Sequence, residues 1–317
     1  MTGGSHPARL TGAGLLAGQG LTLEPAAPAS QVRFPDGAHF RIEIPSCEGP
    51  DVLRGIVAEA SARGVTVNRV SQGSGAMLQS EAELAEMARV AAGNGIEVSL
   101  FVGPREEWDT GRAAASADGG MFAGRLRGTR QLRYAVDDIL RACEQGIRGF
   151  LIADPGLLRL VSEMQAAGQL PASVVWKVSA VLAPSNPLAF TVLERLGGST
   201  VNVPSDLTLG QLAEMRAVSE LPIDLYVETP DAMGGVVRGH EAADLIAVAA
   251  PMYVKFGLRN SRLLYPSGLH LAADAVAIAR EKVRRAQIAL EWIARSGLEL
   301  CQSGPGAPGL GVPEPAR

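Results

Sequence analysis

Three observations predict a (β/α)8 barrel of TIM type. Short β-branched runs alternate with amphipathic helical stretches, eight such runs can be counted, and 317 residues at 47% hydrophobic content can bury one large core. Alternation of strand and helix implies βαβ units and a parallel sheet. Eight units close that sheet into a barrel, which needs about 200–250 residues; an open doubly wound sheet is the rival arrangement. The barrel is placed at residues 32–296. Residues 1–31 and 297–317 are rich in Gly, Pro and Ala without sustained periodicity, and are expected to be disordered tails.

The eight strands are expected at 40–45, 65–71, 97–103, 149–154, 174–181, 200–204, 223–228 and 252–257. Ahead of the first, Pro35-Asp36-Gly37 between two apolar stretches reads as an N-terminal hairpin turn covering the bottom of the barrel. Pro50 suits a first helical turn and Gly64 the end of that helix. Ser80 with Glu83, and Thr208 with Gln211, have capping-box spacing. Leu132, Val136, Ile139, Leu140 and Cys143 recur at helical spacing and are expected to face the barrel. A last helix at about 271–296 carries Arg284, Arg285 and Arg295 toward its negative end. Two connections are long, 104–128 after the third strand and 229–240 after the seventh, and both leave the strand ends where barrel active sites lie. Trp108 in the first is a candidate lid anchor.

Composition excludes several classes of function. A net charge of −4 offers no long-range attraction to DNA or an anionic membrane, and 4% aromatic residues are too few for a base-stacking surface. No apolar run approaches the roughly 20 residues of a membrane span. Leu15-Leu16-Ala17 imitates a secretion signal only faintly, since Arg9 is the one basic residue before it and glycines interrupt the segment. Three dispersed cysteines, Cys47, Cys143 and Cys301, suit a reducing cytoplasm and are too few for an iron–sulfur cluster.

Alternation inside the strands carries the functional signal. Barrel strands are buried on both faces and should be apolar throughout. The seventh instead reads Ile223, Asp224, Leu225, Tyr226, Val227, Glu228, with its apolar face due to meet the helices, so Glu228 is expected inside near the rim. The same test puts Lys255, Lys177 with Ser179, Asn202 and Glu43 inside on the eighth, fifth, sixth and first strands. The second strand is ambiguous: either Arg69 with Ser71, or Asn68 with Gln72, points inward.

Glu43, Lys177, Glu228 and Lys255 are therefore the candidate catalytic residues, because charged groups brought together in a dry interior shift each other's pKa values, which is how acid–base residues are tuned. A structural ion-pair layer is the alternative. Lysine beside carboxylate suits stabilisation of developing negative charge, proton transfer next to a carbonyl, or Schiff-base formation. Arg69, Gln72, Arg105, Asn202, Arg259 and Asn260 are candidate substrate contacts for a small anion, and Gly234, Gly235 and Gly257 lie where barrels often bind phosphate through backbone N–H groups. Glu43, Asp154 and Glu228 could hold Mg²⁺. No HxH or HExxH motif occurs, His240 and His270 read as loop or cap residues, and Cys47 lacks an assignable histidine partner.

Arg41-Ile42-Glu43-Ile44-Pro45 and Asp224-Leu225-Tyr226-Val227-Glu228 together resemble the peptidase U32 family, the collagenase-like proteases, across roughly residues 40–260. The resemblance implies a barrel and either proteolysis or participation in hydroxylating RNA or quinone precursors, with a four-cysteine iron–sulfur cluster in several relatives. Where the family's peptidase signature continues with a His-Gly-Ala-x-Cys stretch, this chain reads Thr229-Pro230-Asp231-Ala232. The first expectation is accordingly a cytoplasmic enzyme of lyase or isomerase class acting on a small anionic metabolite, with a homo-oligomer admitted. A U32-type peptidase or hydroxylation partner and a non-catalytic binding barrel are the alternatives.

Overall fold

Eight parallel strands close on one another in sequence order in the computed structural model, which describes residues 11–21, 26–105, 113, 116, 119 and 123–315. They are β1 (Phe40–Pro45), β2 (Arg69–Gln72), β3 (Glu97–Phe101), β4 (Gly149–Ile152), β5 (Val175–Val178), β6 (Thr200–Asn202), β7 (Ile223–Glu228) and β8 (Met252–Phe256). A short helix, α1 (Gly12–Gly18), precedes the barrel. The outer ring is α2 (Pro50–Arg63), α3 (Glu81–Asn94), α4 (Gly128–Glu144), α5 (Pro155–Ala166), α6 (Pro187–Arg195), α7 (Leu209–Arg216), α8 (Ala242–Ala249) and α9 (Ala272–Ser296). The apolar strand residues, among them Ile42, Val98, Phe150, Val178, Leu225 and Val254, lie between sheet and helices in one continuous core. Among the described residues, no helix is long and apolar enough to cross a membrane.

Local chemistry sets the helix ends as expected. Pro50 occupies the first turn of α2 and Gly64 caps it at φ 64°. Ser80–Glu83 and Thr208–Gln211 both form reciprocal capping boxes. In α4 the buried stripe runs through Ala135, Asp138, Ile139 and Ala142, which turns Leu140 toward solvent, contrary to the face read from spacing. The expected hairpin is one closed turn: Phe34 N–H donates to Ala38 O at 2.9 Å and Gly37 N–H to Phe34 O at 2.8 Å. Phe34 packs edge-on against Tyr253 at the barrel's amino end, 5.4 Å between centroids. Trp108 lies outside the described residues.

The C-terminal segment corrects the expectation of a disordered tail. It pairs with β1 through Gln302 and Phe40, then runs beneath the amino ends of the strands. Ser303 N–H donates to Phe40 O at 3.0 Å, Gly306 N–H to Gly95 O at 2.8 Å, and Glu314 N–H to Gly146 O at 2.8 Å. Gly311 N–H donates to the Glu97 carboxylate at 3.1 Å. Gly95 needs its glycine twice: it caps α3 at φ 63°, and a Cβ there would meet Gly306 N at 2.5 Å. The Gly- and Pro-rich composition that reads as disorder serves a strap whose backbone groups find partners on the barrel.

Truncation after Ser296 removes partners of three buried side chains, Arg41, Asn68 and Glu97. Leaving one buried charge unpaired costs about 3–5 kcal/mol, so thermal unfolding should show a Tm lower by on the order of 10 °C. An unchanged Tm would mean that the strap is incidental to stability.

Candidate active site

The interior alternation places Arg69 at the centre of the barrel. Its register partners are Glu43 on β1 and Glu97 on β3, while Glu43 faces Lys255 on β8. Arg69 Nε donates to Glu43 Oε2 at 2.8 Å, Nη2 to Asp224 Oδ1 at 2.5 Å and Nη1 to Thr200 Oγ1 at 3.1 Å. Glu97 Oε1 lies 3.5 Å from Nη1, and the Tyr253 ring covers the guanidinium 3.3 Å from its centroid. Arg69, with Ser71, is thus the inward pair on β2. Asn68 instead accepts Ile42 N–H at the amino end, and Gln72 braces the following loop through both polar groups of Gly75.

Two lysines converge on one carboxylate oxygen. Lys177 Nζ donates to Glu43 Oε1, and Lys255 Nζ lies 3.4 Å from the same atom. Ser71 Oγ donates to it as well, at 2.6 Å. Lys255 also donates to Asn202 Oδ1 and sits 4.1 Å from the centroid of the Tyr226 ring. Glu43, Arg69, Lys177, Asp224 and Glu97 are 0% exposed, and Lys255 is 2% exposed. Tyr226, one inward position nearer the mouth than Asp224, is half-buried.

Burial opposes every charge here, so neighbours decide which survive. Burial pushes the Glu43 carboxyl up, but Lys177, Lys255 and Arg69 outweigh it and hold Glu43 well below the usual carboxylate range. Glu97 has Arg69 as its main cationic neighbour, and burial prevails, raising it. Lys177 is driven well below the ordinary lysine range by burial, against the pull of Glu43 and with Lys255 and Arg69 adding to the shift. Glu97 and Lys177 are thus the two members of this network that burial draws toward their neutral forms.

Glu228 departs from this arrangement. The β7–β8 register shifts between Tyr226 and Glu228, so Glu228 pairs with Phe256, an outward core residue. One extra residue flips all side chains beyond it to the other face. The Glu228 carboxylate accepts Arg259 N–H at 3.1 Å and lies 3.7 Å from Arg285 Nε on α9, away from Lys255. The expected Glu228–Lys255 pair is therefore absent.

The remaining candidates divide between mouth and scaffold. Arg105 donates to the carbonyls of Gly73 and Ser74 and stacks on Phe101. Arg259 is exposed and lies 3.6 Å from Asp231, and Asn260 N–H donates to Asp231 at 2.6 Å. Asp154 caps α5 through Leu157 N–H and also accepts Leu126 N–H. Glu43, Asp154 and Glu228 thus occupy three separate settings rather than one oxygen cage. Among the described residues, no cluster of three His, Cys, Asp or Glu side chains could hold a metal. The N–H groups of Gly234, Gly235 and Gly257 are taken by carbonyls of Asp231, Pro230 and Glu228, which removes the expected phosphate cradle. Cys47 is buried and its thiol is raised by burial. Cys143 lies in α4 and Cys301 in the strap at the amino end, so the three cysteines do not fit a shared cluster.

Sequence reasoning missed Asp224, Thr200, Glu97 and Lys282. Asp224 was assigned to the inner face but given no role, and its carboxylate ties Arg69, Thr200 and Asn202 together. Lys282 on α9 is buried in the stripe of Ala275, Ala279, Val283 and Ala286 and donates to Pro45 O at 2.9 Å. A lysine in register with an apolar helical stripe was the available signal.

Burial lowers Lys282 from 10.5 to about 8, against Glu48, Cys47 and Glu228, which favour its charge. Between those two pH values the unfolded chain holds a proton that the folded chain has released, so raising pH favours folding. Lys282→Met should flatten this rise, which amounts to about 3 kcal/mol. The check is denaturant unfolding of parent and variant from pH 7 to 10.5; parallel curves would disprove the assignment.

No protein-family model and no curated protein matches this chain. Among solved structures, it is similar to the U32 peptidase Mk0906 at 17% identity, over 65% of this chain and 73% of that one, with a TM-score of 0.40. It is similar to native KDPGal at 11% identity, over 83% and 99% of the two chains, with a TM-score of 0.43. Oxaloacetate acetylhydrolase, solved with its product oxalate, aligns at 10% identity over 68% and 75%, also at 0.43. Scores this low carry no functional argument; the barrel is established by its own strand register.

Proposed function

We propose that this barrel is an enzyme acting on a small anionic substrate by acid–base chemistry of lyase or isomerase class. The observation that supports it is the meeting of Lys177 and Lys255 on one oxygen of Glu43, with Lys255 beside Tyr226 toward the mouth. Lys255 is the member of this trio with accessible surface, and its role is to stabilise negative charge developing on the substrate. Lys177, desolvated and flanked by cations, is the proton acceptor; such a lysine is also competent as an amine nucleophile toward a carbonyl. Glu43 positions both lysine side chains. Arg105, Arg259 and Asn260 lie on the loops that follow β3 and β8 and are the outer contacts for the anion.

A divergent U32-like barrel is the family reading that accompanies this proposal, supported by Glu43-x-Pro45 and Val227-Glu228. A non-catalytic binding barrel is the second reading, favoured by the complete burial of Glu43, Arg69, Lys177 and Asp224. The two readings differ in what a lysine substitution does.

The test screens the purified protein against small 2-oxo, 2-hydroxy and phosphorylated acids by thermal shift, beside Lys255→Met. For an enzyme, the variant should lose the ligand-induced shift and at least about 100-fold in turnover, a loss of ~3 kcal/mol in transition-state stabilisation. Strong destabilisation of Lys255→Met with an undiminished ligand shift would assign the network to structure. In addition, turnover should rise with pH along a limb centred below the ordinary lysine value of 10.5, as Lys177 loses its proton. That limb should vanish in Lys177→Met; a limb that persists there would remove Lys177 as the base.

A further inference from the structure

At the other end of the barrel, Arg41 is a buried cation without a counter-ion. It is 1% exposed. Its Nε donates to Ser303 Oγ at 3.0 Å, Nη1 to the Tyr253 hydroxyl at 3.0 Å and Nη2 to Pro308 O at 2.6 Å. The guanidinium lies 4.0 Å from the centroid of the Phe34 ring. All these partners are neutral, and among the described residues no carboxylate is within ion-pair distance. Arg69, equally buried, has three carboxylates. A charge removed from water is ordinarily paired, because leaving it alone costs several kcal/mol.

Arg41 lines a cavity of about 270 Å³ that opens at the amino end of the barrel. Phe34, Pro35, Val175, Pro222 and Pro251 supply apolar walls, and Arg33 and Glu220 complete the charged lining. Arg33 is half-buried and spends only Nη1, on the carbonyls of Ser30 and Val32. Its Nε and Nη2 have no partner among the described residues. Glu220 is exposed.

We propose that this cavity binds a small monocarboxylate with an apolar body, its carboxylate held between Arg41 and Arg33. Two arginines against one glutamate leave a single positive charge, which one carboxylate balances. A guanidinium fork matches the planar carboxylate with two parallel hydrogen bonds. The proline and aromatic walls take the apolar body, and they disfavour the strongly hydrated phosphate dianion. Thr200 and Tyr253 also border the cavity, so the occupant touches the underside of the Arg69 network. This site is separate from the proposed catalytic mouth and does not depend on it.

Isothermal titration of the full-length protein with benzoate and hexanoate tests the proposal, with benzamide and inorganic phosphate as competitors for the assignment. At least one carboxylate should bind saturably, and benzamide and phosphate at least about tenfold more weakly, since neither offers the planar anion that a guanidinium fork matches. Arg33→Gln should weaken carboxylate binding about tenfold, and Glu220→Gln, at an exposed position, should strengthen it. Arg89→Gln, on the exposed face of α3 where it pairs with Glu86, should leave it unchanged. The proposal fails if neither carboxylate binds at millimolar concentration or if phosphate or benzamide binds as tightly. It also fails if Arg33→Gln and Glu220→Gln both match the parent, or if an equal loss appears in Arg89→Gln.

Discussion

The Arg69 fork is the interaction on which the interior depends. Its three nitrogens reach strands on different sides of the barrel, Glu43 on β1, Thr200 on β6 and Asp224 on β7, with Glu97 of β3 close by. A barrel interior is ordinarily filled by layers of branched apolar side chains. Here one layer is replaced by ions, so each must be paired or neutralised. Arg69 does most of that pairing because a guanidinium offers five donors in fixed directions and remains charged. Loss of this residue would take the nearest cation from both Asp224 and Glu97 in a dry core.

The same crowding drives the acidities of its members apart. Glu43 has three cations around it and is held in its ionised form; Glu97 has chiefly one and is drawn toward its acid form; Lys177, deeply buried beside two other cations, holds its proton more weakly. Burial supplies the pressure in all three cases, and the uneven distribution of neighbours turns it in different directions. A symmetric set of pairs would give a rigid but inert layer. This one separates the titration of its members, which is the condition for acid–base work near neutral pH.

The two ends of the barrel solve the charge problem differently. Toward the mouth, Lys255 meets Asn202, Glu43 and the face of Tyr226. At the amino end, Arg41 relies on a hydroxyl, a carbonyl, a phenol and an aromatic face, two of them brought by the C-terminal strap and two by Phe34 and Tyr253. The strap therefore links stability at one end to the ion network in the middle, since it also donates to Glu97.

Much of this was legible in the amino-acid order. Period-two alternation is a property of the extended chain, so Glu43, Lys177, Asn202 and Lys255 could be assigned to the inner face of their strands with no knowledge of neighbours. Ser80–Glu83, Thr208–Gln211 and Pro50 mark helix starts because capping uses residues three apart in sequence. Tertiary structure alone decided the rest. The slip at Tyr226–Glu228 is a matter of pairing with β8, and it sends Glu228 out to α9. The choice of Arg69 over Asn68 on β2 depends on which carboxylates wait inside. The strap at 297–315 has no periodicity of its own, because its order comes from backbone groups bonded to distant glycines and Glu97. Local sequence determines which way a strand residue faces; only closure of the barrel determines what it meets there, because those partners come from strands far apart in the chain.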